Sequence, residues 1–351
     1  MEKDRKYKIL PGAMTSHKGV LYMIDLYSNA LFSMKYEDEY ARCIAQFENE
    51  NSIQRNLYTD IIEGDDKLFC IPHGAMSLGI YDLKQKTICT RPLPMEIREK
   101  YSKFKTAVYD KGELYLLGYG IKNIWRYSVE RDEFSEIAVP ESTGLFMAGA
   151  IVENALYFIS KASSVIWKMD CTSKKIQAYK TSAQENGYAD IRAMGDKVFA
   201  IGFASRRLYR VVEEDLCGCG LEIAGDFQIW PHERGLTMGK DELAVVSSPE
   251  SSILIYHIAE RNKESFPLSK EKSEEAVGNL LPYGDKIVVW FFESQLLYRY
   301  DVCKRTEECR RLYSETAPRR RFERNRAANI FQEKQVWGLK EYIDALNGEE
   351  R

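Results

Sequence analysis

Seven times along this chain of 351 residues, an aliphatic residue is followed ten positions later by another. The pairs are Leu21 and Leu31, Leu68 and Leu78, Leu114 and Ile124, Leu156 and Ile166, Val198 and Leu208, Leu243 and Ile253, and Ile287 and Leu297. Successive copies begin 42 to 47 residues apart, yet the internal spacing stays at ten. A constant distance inside a variable period marks a repeated supersecondary unit whose insertions fall in its connections.

Each copy carries strand signals. An apolar run such as "LYLL", "LYFI" or "VFAI" begins at the first anchor, and after a polar loop a second run follows, as in "IWRY", "IWKM" and "LYRV". A further apolar segment and a turn rich in Asp, Asn and Gly come before, as in "TAVYDKGE" and "LLPYGDK". Those residues tolerate the positive φ that a two-residue hairpin needs. Polar turns such as "SVERDEF" and "DCTSKKI" lead to a fourth short segment, so each unit is four antiparallel strands, a to d.

Strand b is apolar throughout rather than alternating, which is the pattern of a sheet covered on both faces. Seven such sheets arranged radially cover one another. A solenoid would need polar capping repeats, and the end copies are no more polar than the middle ones. The expected fold is an all-β, seven-bladed β-propeller of four-stranded antiparallel blades over residues 1–317. Its blades lie near 10–48, 56–95, 104–140, 146–181, 188–228, 234–268 and 277–315. The segment "YKIL", Tyr7 to Leu10, is a candidate extra strand on the last blade.

Residues 318–351 differ in composition. A basic link, "PRRRFERNR", precedes Val336, Leu339, Ile343 and Leu346, whose spacings of 3, 4 and 3 place one apolar stripe on a helix. An amphipathic C-terminal α-helix is expected there, docked on the propeller or on a partner.

In architecture, these units of apolar strand, loop and "I-W/Y-K/R-Y" strand resemble kelch-like bacterial β-propellers. The kelch double glycine is absent, since copy three reads "LGYG" and copy five "IGFA". The resemblance implies a binding platform and brings no catalytic residue with it.

Composition narrows the partners. With 50 basic and 53 acidic residues the net charge is -3, so no basic field is available for nucleic acid. No apolar run approaches the roughly 20 residues of a membrane-spanning helix. The charged N-terminus has no signal-peptide pattern, and the eight cysteines are scattered, so a cytoplasmic location with free thiols is expected. Cys217 and Cys219 form "CGC", which lacks zinc-site spacing. Neither a cofactor nor a metal is expected.

Repeated residues serve the repeat, so Trp125, Trp167, Tyr209 and Tyr298, all at one strand-c position, are expected to pack between blades. The b–c and d–a connections lie at one end of each sheet, and there the side chains differ. Five residues past each first anchor stand Leu26, His73, Tyr119, Lys161, Phe203, Ser248 and Phe292. Candidate ligand-binding residues at that end are Tyr27, Asn29, His73, Tyr119, Lys122, Asn123, Lys161, Phe203, Arg206, Arg207, Trp230, Arg234 and Glu293. They mix aromatic faces with hydrogen-bonding groups, which suits a protein or carbohydrate-like ligand.

Catalytic motifs are lacking: no HExxH, GxSxG or phosphate-binding loop occurs. The expected function is therefore a non-catalytic binding scaffold. The alternative is a propeller enzyme, a hydrolase or lyase acting on a sugar or lactone, with His73, His232 and Glu233 as acid–base candidates. Oligomeric state is left open by the sequence.

Overall fold

The computed structural model describes residues 7–47, 50, 55–140, 144–180, 186–203, 207–211, 216–222, 236–238, 241–247, 252–268, 277–292 and 294–314. These form seven four-stranded antiparallel sheets, each a meander of four consecutive strands. The repeat period thus corresponds to seven propeller blades. The expected C-terminal helix lies outside the described residues.

The chain divides into two compact units. The first comprises residues 1–101 and 311–351. Its blade one is built from Pro11–His17, Val20–Asp25, Leu31–Met34 and Arg42–Ala45, and blade two from Tyr58–Gly64, Lys67–Pro72, Ser77–Asp82 and Thr87–Pro92. A single helical turn, Met95–Arg98, follows blade two.

The second unit, residues 102–310, holds the other five blades. Blade three runs Phe104–Asp110, Glu113–Gly118, Ile124–Ser128 and Glu133–Ile137, and blade four Phe146–Val152, Ala155–Ser160, Val165–Asp170 and Ile176–Lys180. Blade five is Tyr188–Met194, Lys197–Gly202, Arg207–Val211 and Leu216–Glu222. Blades six and seven run from Leu236 to Pro267 and from Val277 to Arg310.

The ten-residue anchors form the floor of the core. All fourteen are buried, the most exposed being Val198 at 4%. At about 1.5–3 kcal/mol for each fully buried aliphatic side chain, they supply a large part of the driving force in every blade. The strand-c aromatics fill the space between consecutive sheets of one unit. Trp167 stacks on Phe158 at 5.6 Å and 8°, and their cluster draws on both blade three and blade four. Tyr209 packs with blades four and five, and Tyr298 with blades six and seven.

Two-residue a–b turns use positive φ as their composition predicts, for example Asp65 and Asp66 at 45° and 58°, and Lys111 and Gly112 at 45° and 81°. Six of the strands a also share a feature that hydrophobic pattern does not reveal. Each slips register after its first pair, between Pro11/Ala13, Tyr58/Asp60, Phe104/Thr106, Phe146/Ala148, Tyr188/Asp190 and Val277/Asn279. Bulges at this point bend the strand and re-aim the residues beside the b–c loop.

The N-terminal segment behaves differently from the expectation that it extends the last blade. Tyr7–Lys8 pairs antiparallel with Tyr313–Ser314, a short strand that follows the seventh sheet. Ser314 also bridges Ala41 of blade one in parallel, and the Ile9 N–H donates to Leu312 O at 3.0 Å. The seventh sheet already has four strands of its own, so the segment takes its partner from the chain beyond it.

Candidate functional site

A meander puts the b–c and d–a connections at one end of its sheet and the a–b and c–d turns at the other. At the first of these ends the loops share a backbone device. The residue five past the first anchor donates its N–H to the carbonyl of the residue just before strand a. The bonds are Leu26 to Leu10 at 2.7 Å, His73 to Leu57 at 2.8 Å, Tyr119 to Lys103 at 2.7 Å, Lys161 to Leu145 at 3.3 Å and Phe203 to Gly187 at 3.0 Å. Five different side chains are therefore presented from one backbone geometry.

In the second unit the same atoms link blade to blade. Tyr119 O accepts from Leu145 N–H at 2.9 Å, which ties the blade-three loop to the start of blade four. Close approach of backbones explains the glycines there. A Cβ on Gly120 would lie 2.0 Å from Ser102 O, and one on Gly187 would lie 2.0 Å from Lys161 O. The "GYG" of the b–c loop is thus a packing requirement between chain segments, with a strand rather than a helix after it.

Tyr119 and Lys161 meet across these two loops. The Lys161 ammonium donates to the Tyr119 hydroxyl at 2.9 Å and lies 5.2 Å from the ring centroid. Both side chains are half-buried, which gives a cation held by a phenol hydroxyl at the rim of the second unit. Lys122 is exposed beside them. Asn123 is occupied: its Nδ2 donates to Glu136 Oε1 at 2.8 Å and its Oδ1 accepts from Val139 N–H at 3.2 Å. It braces strand d as much as it faces solvent. Phe203 is half-buried at the same level of blade five.

In the first unit, His73 and Tyr27 are half-buried at the loop end. Asn29 sits at φ 54° and is 5% exposed, with its Oδ1 accepting from Leu57 N–H at 3.0 Å. Its side chain therefore joins blade one to blade two. Asp25, 1% exposed, organises that loop by accepting from Leu10 N–H, Ser28 N–H and Ser28 Oγ, each at 2.7 Å. Sequence reasoning passed over Asp25 because a carboxylate ending a strand reads as a solvated turn residue.

Arg206, Trp230, His232, Glu233, Arg234 and Glu293 lie outside the described residues. Arg207 opens strand c of blade five, where its backbone pairs with Glu222. Of the remaining histidines, His17 contacts Glu63 at 2.6 Å, and His257 lies 3.3 Å from Glu242 and 3.4 Å from Glu264. Those pairs belong to the a–b and c–d ends of their sheets, away from His73.

Sequence reasoning also missed two buried cations. Lys103 and Lys105, 1% and 4% exposed, flank the first residue of strand a in blade three. Their signal was "SKFK", two lysines alternating with an aromatic at a strand start. Among the described residues no cluster of His, Cys, Asp or Glu could hold a metal ion. Six described cysteines are free thiols, and buried Cys70 has its thiol pKa pushed well up by desolvation.

No family model and no curated protein matches this chain. Solved structures do. A catalytically inactive histidine-to-alanine variant of virginiamycin B lyase from Staphylococcus aureus, with quinupristin, is 12% identical, with a TM-score of 0.63 over 83% of this chain and 94% of that one. A streptogramin B lyase structure is 11% identical, with a TM-score of 0.66 over 81% and 93%. PorZ, a surface component of the type-IX secretion system of Porphyromonas gingivalis, is 10% identical, with a TM-score of 0.58 over 89% of this chain and 39% of PorZ. At these identities the likeness is one of fold, a β-propeller. Among the described residues no helix is long and apolar enough to cross a membrane.

Proposed function

We propose that the protein is a binding propeller, a kelch-like platform that recognises a protein or carbohydrate-like ligand with its b–c and d–a loops. One observation carries this reading. The backbone at five loop positions is pinned by the same hydrogen bond, while the side chains it presents are Leu26, His73, Tyr119, Lys161 and Phe203. A constant frame with varied aromatic and polar groups is what recognition of a composite surface requires. Tyr119 and Phe203 offer faces for stacking, and Lys122 and Lys161 offer donors.

The test is a triple variant, Tyr119→Ala, Phe203→Ala and Trp230→Ala, checked for folding by circular dichroism. Pull-down from the source lysate and a glycan array together cover both ligand classes. Loss of the signal seen with the unaltered chain supports the reading, and undiminished recovery removes these loops from recognition.

The fold likeness to lyases favours one second reading, in which His73, with His232 and Glu233, does acid–base work on a sugar or lactone. Histidine suits proton transfer near neutral pH. Incubation with sugar, lactone and quinupristin substrates, followed by mass spectrometry, tests it. Turnover that disappears in His73→Ala would establish it, and no change in any substrate leaves binding alone.

A further inference from the structure

At the opposite end of the sheets, blades three and four of the second unit enclose a cleft of about 330 Å³ with a strongly polar lining. Tyr115 forms its floor, 2% exposed, and pairs across the ladder with Arg126. The c–d turn of blade four reaches over it. Lys174, at φ 61°, donates to the Tyr115 hydroxyl at 2.8 Å and to Cys171 O, and its ammonium lies 4.9 Å from the Tyr115 ring centroid. Asn154 and Thr172 close the side through a 2.9 Å hydrogen bond.

The charges of this cleft are only partly paired with one another. Lys174 has no carboxylate within ion-pair distance among the described residues. Arg126 places Nε 2.6 Å from Glu113, while its two terminal nitrogens have no partner among the described residues. Asp110 is mostly buried, with a side chain 23% exposed, and its one ion-pair partner among the described residues is the solvent-facing Lys111 at 3.9 Å. Arg131 turns away to Glu133 at 2.8 Å. Burial pushes the Tyr115 phenol and the Cys171 thiol up, so both stay neutral and leave the balance to the formal charges.

A half-buried carboxylate and a half-buried ammonium thus share one small cleft without forming an ion pair with each other. A solute carrying both opposite charges would match both. A phosphate dianion would meet Asp110, Glu113 and Glu130 in the same lining. A simple cation would meet Lys174 and Arg126.

We propose that this cleft binds a small zwitterionic carboxylate of the free amino-acid class, its carboxylate held by Lys174 and the Arg126 fork and its ammonium by Asp110. The volume accommodates a small amino acid. The fork geometry of Arg126 suits a carboxylate in particular.

Isothermal titration of the full chain with glycine, L-serine, acetate, methylamine and inorganic phosphate tests it. Glycine or L-serine should bind at least about tenfold tighter than acetate, methylamine or phosphate. Lys174→Met in the c–d turn and Asp110→Asn at the end of strand a, both checked by circular dichroism, should each weaken that binding about tenfold or more, and Asp110→Asn should also erase the preference over acetate. Equal or tighter binding of acetate or phosphate overturns the proposal. So does the absence of binding by both amino acids at about 10 mM, or affinity that neither variant changes.

Discussion

Lys161 of blade four stands with its ammonium 2.9 Å from the hydroxyl of Tyr119 in blade three and 5.2 Å from the centre of that ring. One contact therefore joins two loops that the sequence separates by 42 residues. Tyr119→Phe removes the hydrogen bond and keeps the packed aromatic ring, and Tyr119→Leu removes both. The expected losses of unfolding free energy are about 0.5–1 kcal/mol for the first and about 1–2 kcal/mol for the second. Urea midpoints of the two variants check the order.

Gly187→Ala puts a methyl group against Lys161 O, 2.0 Å away in the unrelaxed backbone. Because the obstacle is main chain, the two segments must separate. A loss of about 2–3 kcal/mol is expected, larger than for Ala at Gly112, where nothing lies within 4 Å but φ is 81°. Denaturation of the two variants side by side distinguishes crowding from backbone strain.

Trp167 is 2% exposed and contacts Phe146 edge-on and Phe158 in a stack. Trp167→Ala should cost about 3–5 kcal/mol, because rigid strands on both sides prevent the cavity from closing. Trp167→Phe should recover much of that. A shift in melting temperature measures both.

Asp170 accepts N–H bonds from Thr172 at 3.0 Å and Ser173 at 2.6 Å in the blade-four c–d turn, and these hold its carboxyl pKa below the usual value. A depressed folded-state pKa gives stability that is present above the unfolded-state value of about 3.9 and is lost as pH falls through the folded-state value. Asp170→Asn should therefore unfold earlier than the unaltered chain at pH 7. The gap should narrow toward pH 2, as midpoints at a series of pH values would record.

Much of the architecture is legible in the sequence because it repeats. The anchors Leu114 and Ile124 are legible from their spacing, and the aromatics Trp167 and Tyr298 from their recurrence, since each blade must solve the same packing problem. The site end is less legible. Asn29 and Asn123 look like available loop amides, yet both spend their carbonyls on backbone N–H groups of later segments. Only the folded chain brings Leu57 to Asn29 or Val139 to Asn123. The cleft of Tyr115, Arg126 and Lys174 is hidden for a related reason. Arg126 belongs to a repeated basic position, and only the folded chain brings Lys174 of the next blade to Tyr115 beside it.

The pairing of Tyr7–Lys8 with Tyr313–Ser314 sets a timetable for the first unit. Blade one has its four strands by Ala45, but the partner of its leading segment is made about 270 residues later. On a ribosome adding some 5–20 residues per second, that interval lasts roughly 15–50 s. During it, six further sheets are synthesised while the leading backbone still lacks its ladder partner. The leading segment is thus among the first parts of the molecule to be made and among the last to be paired.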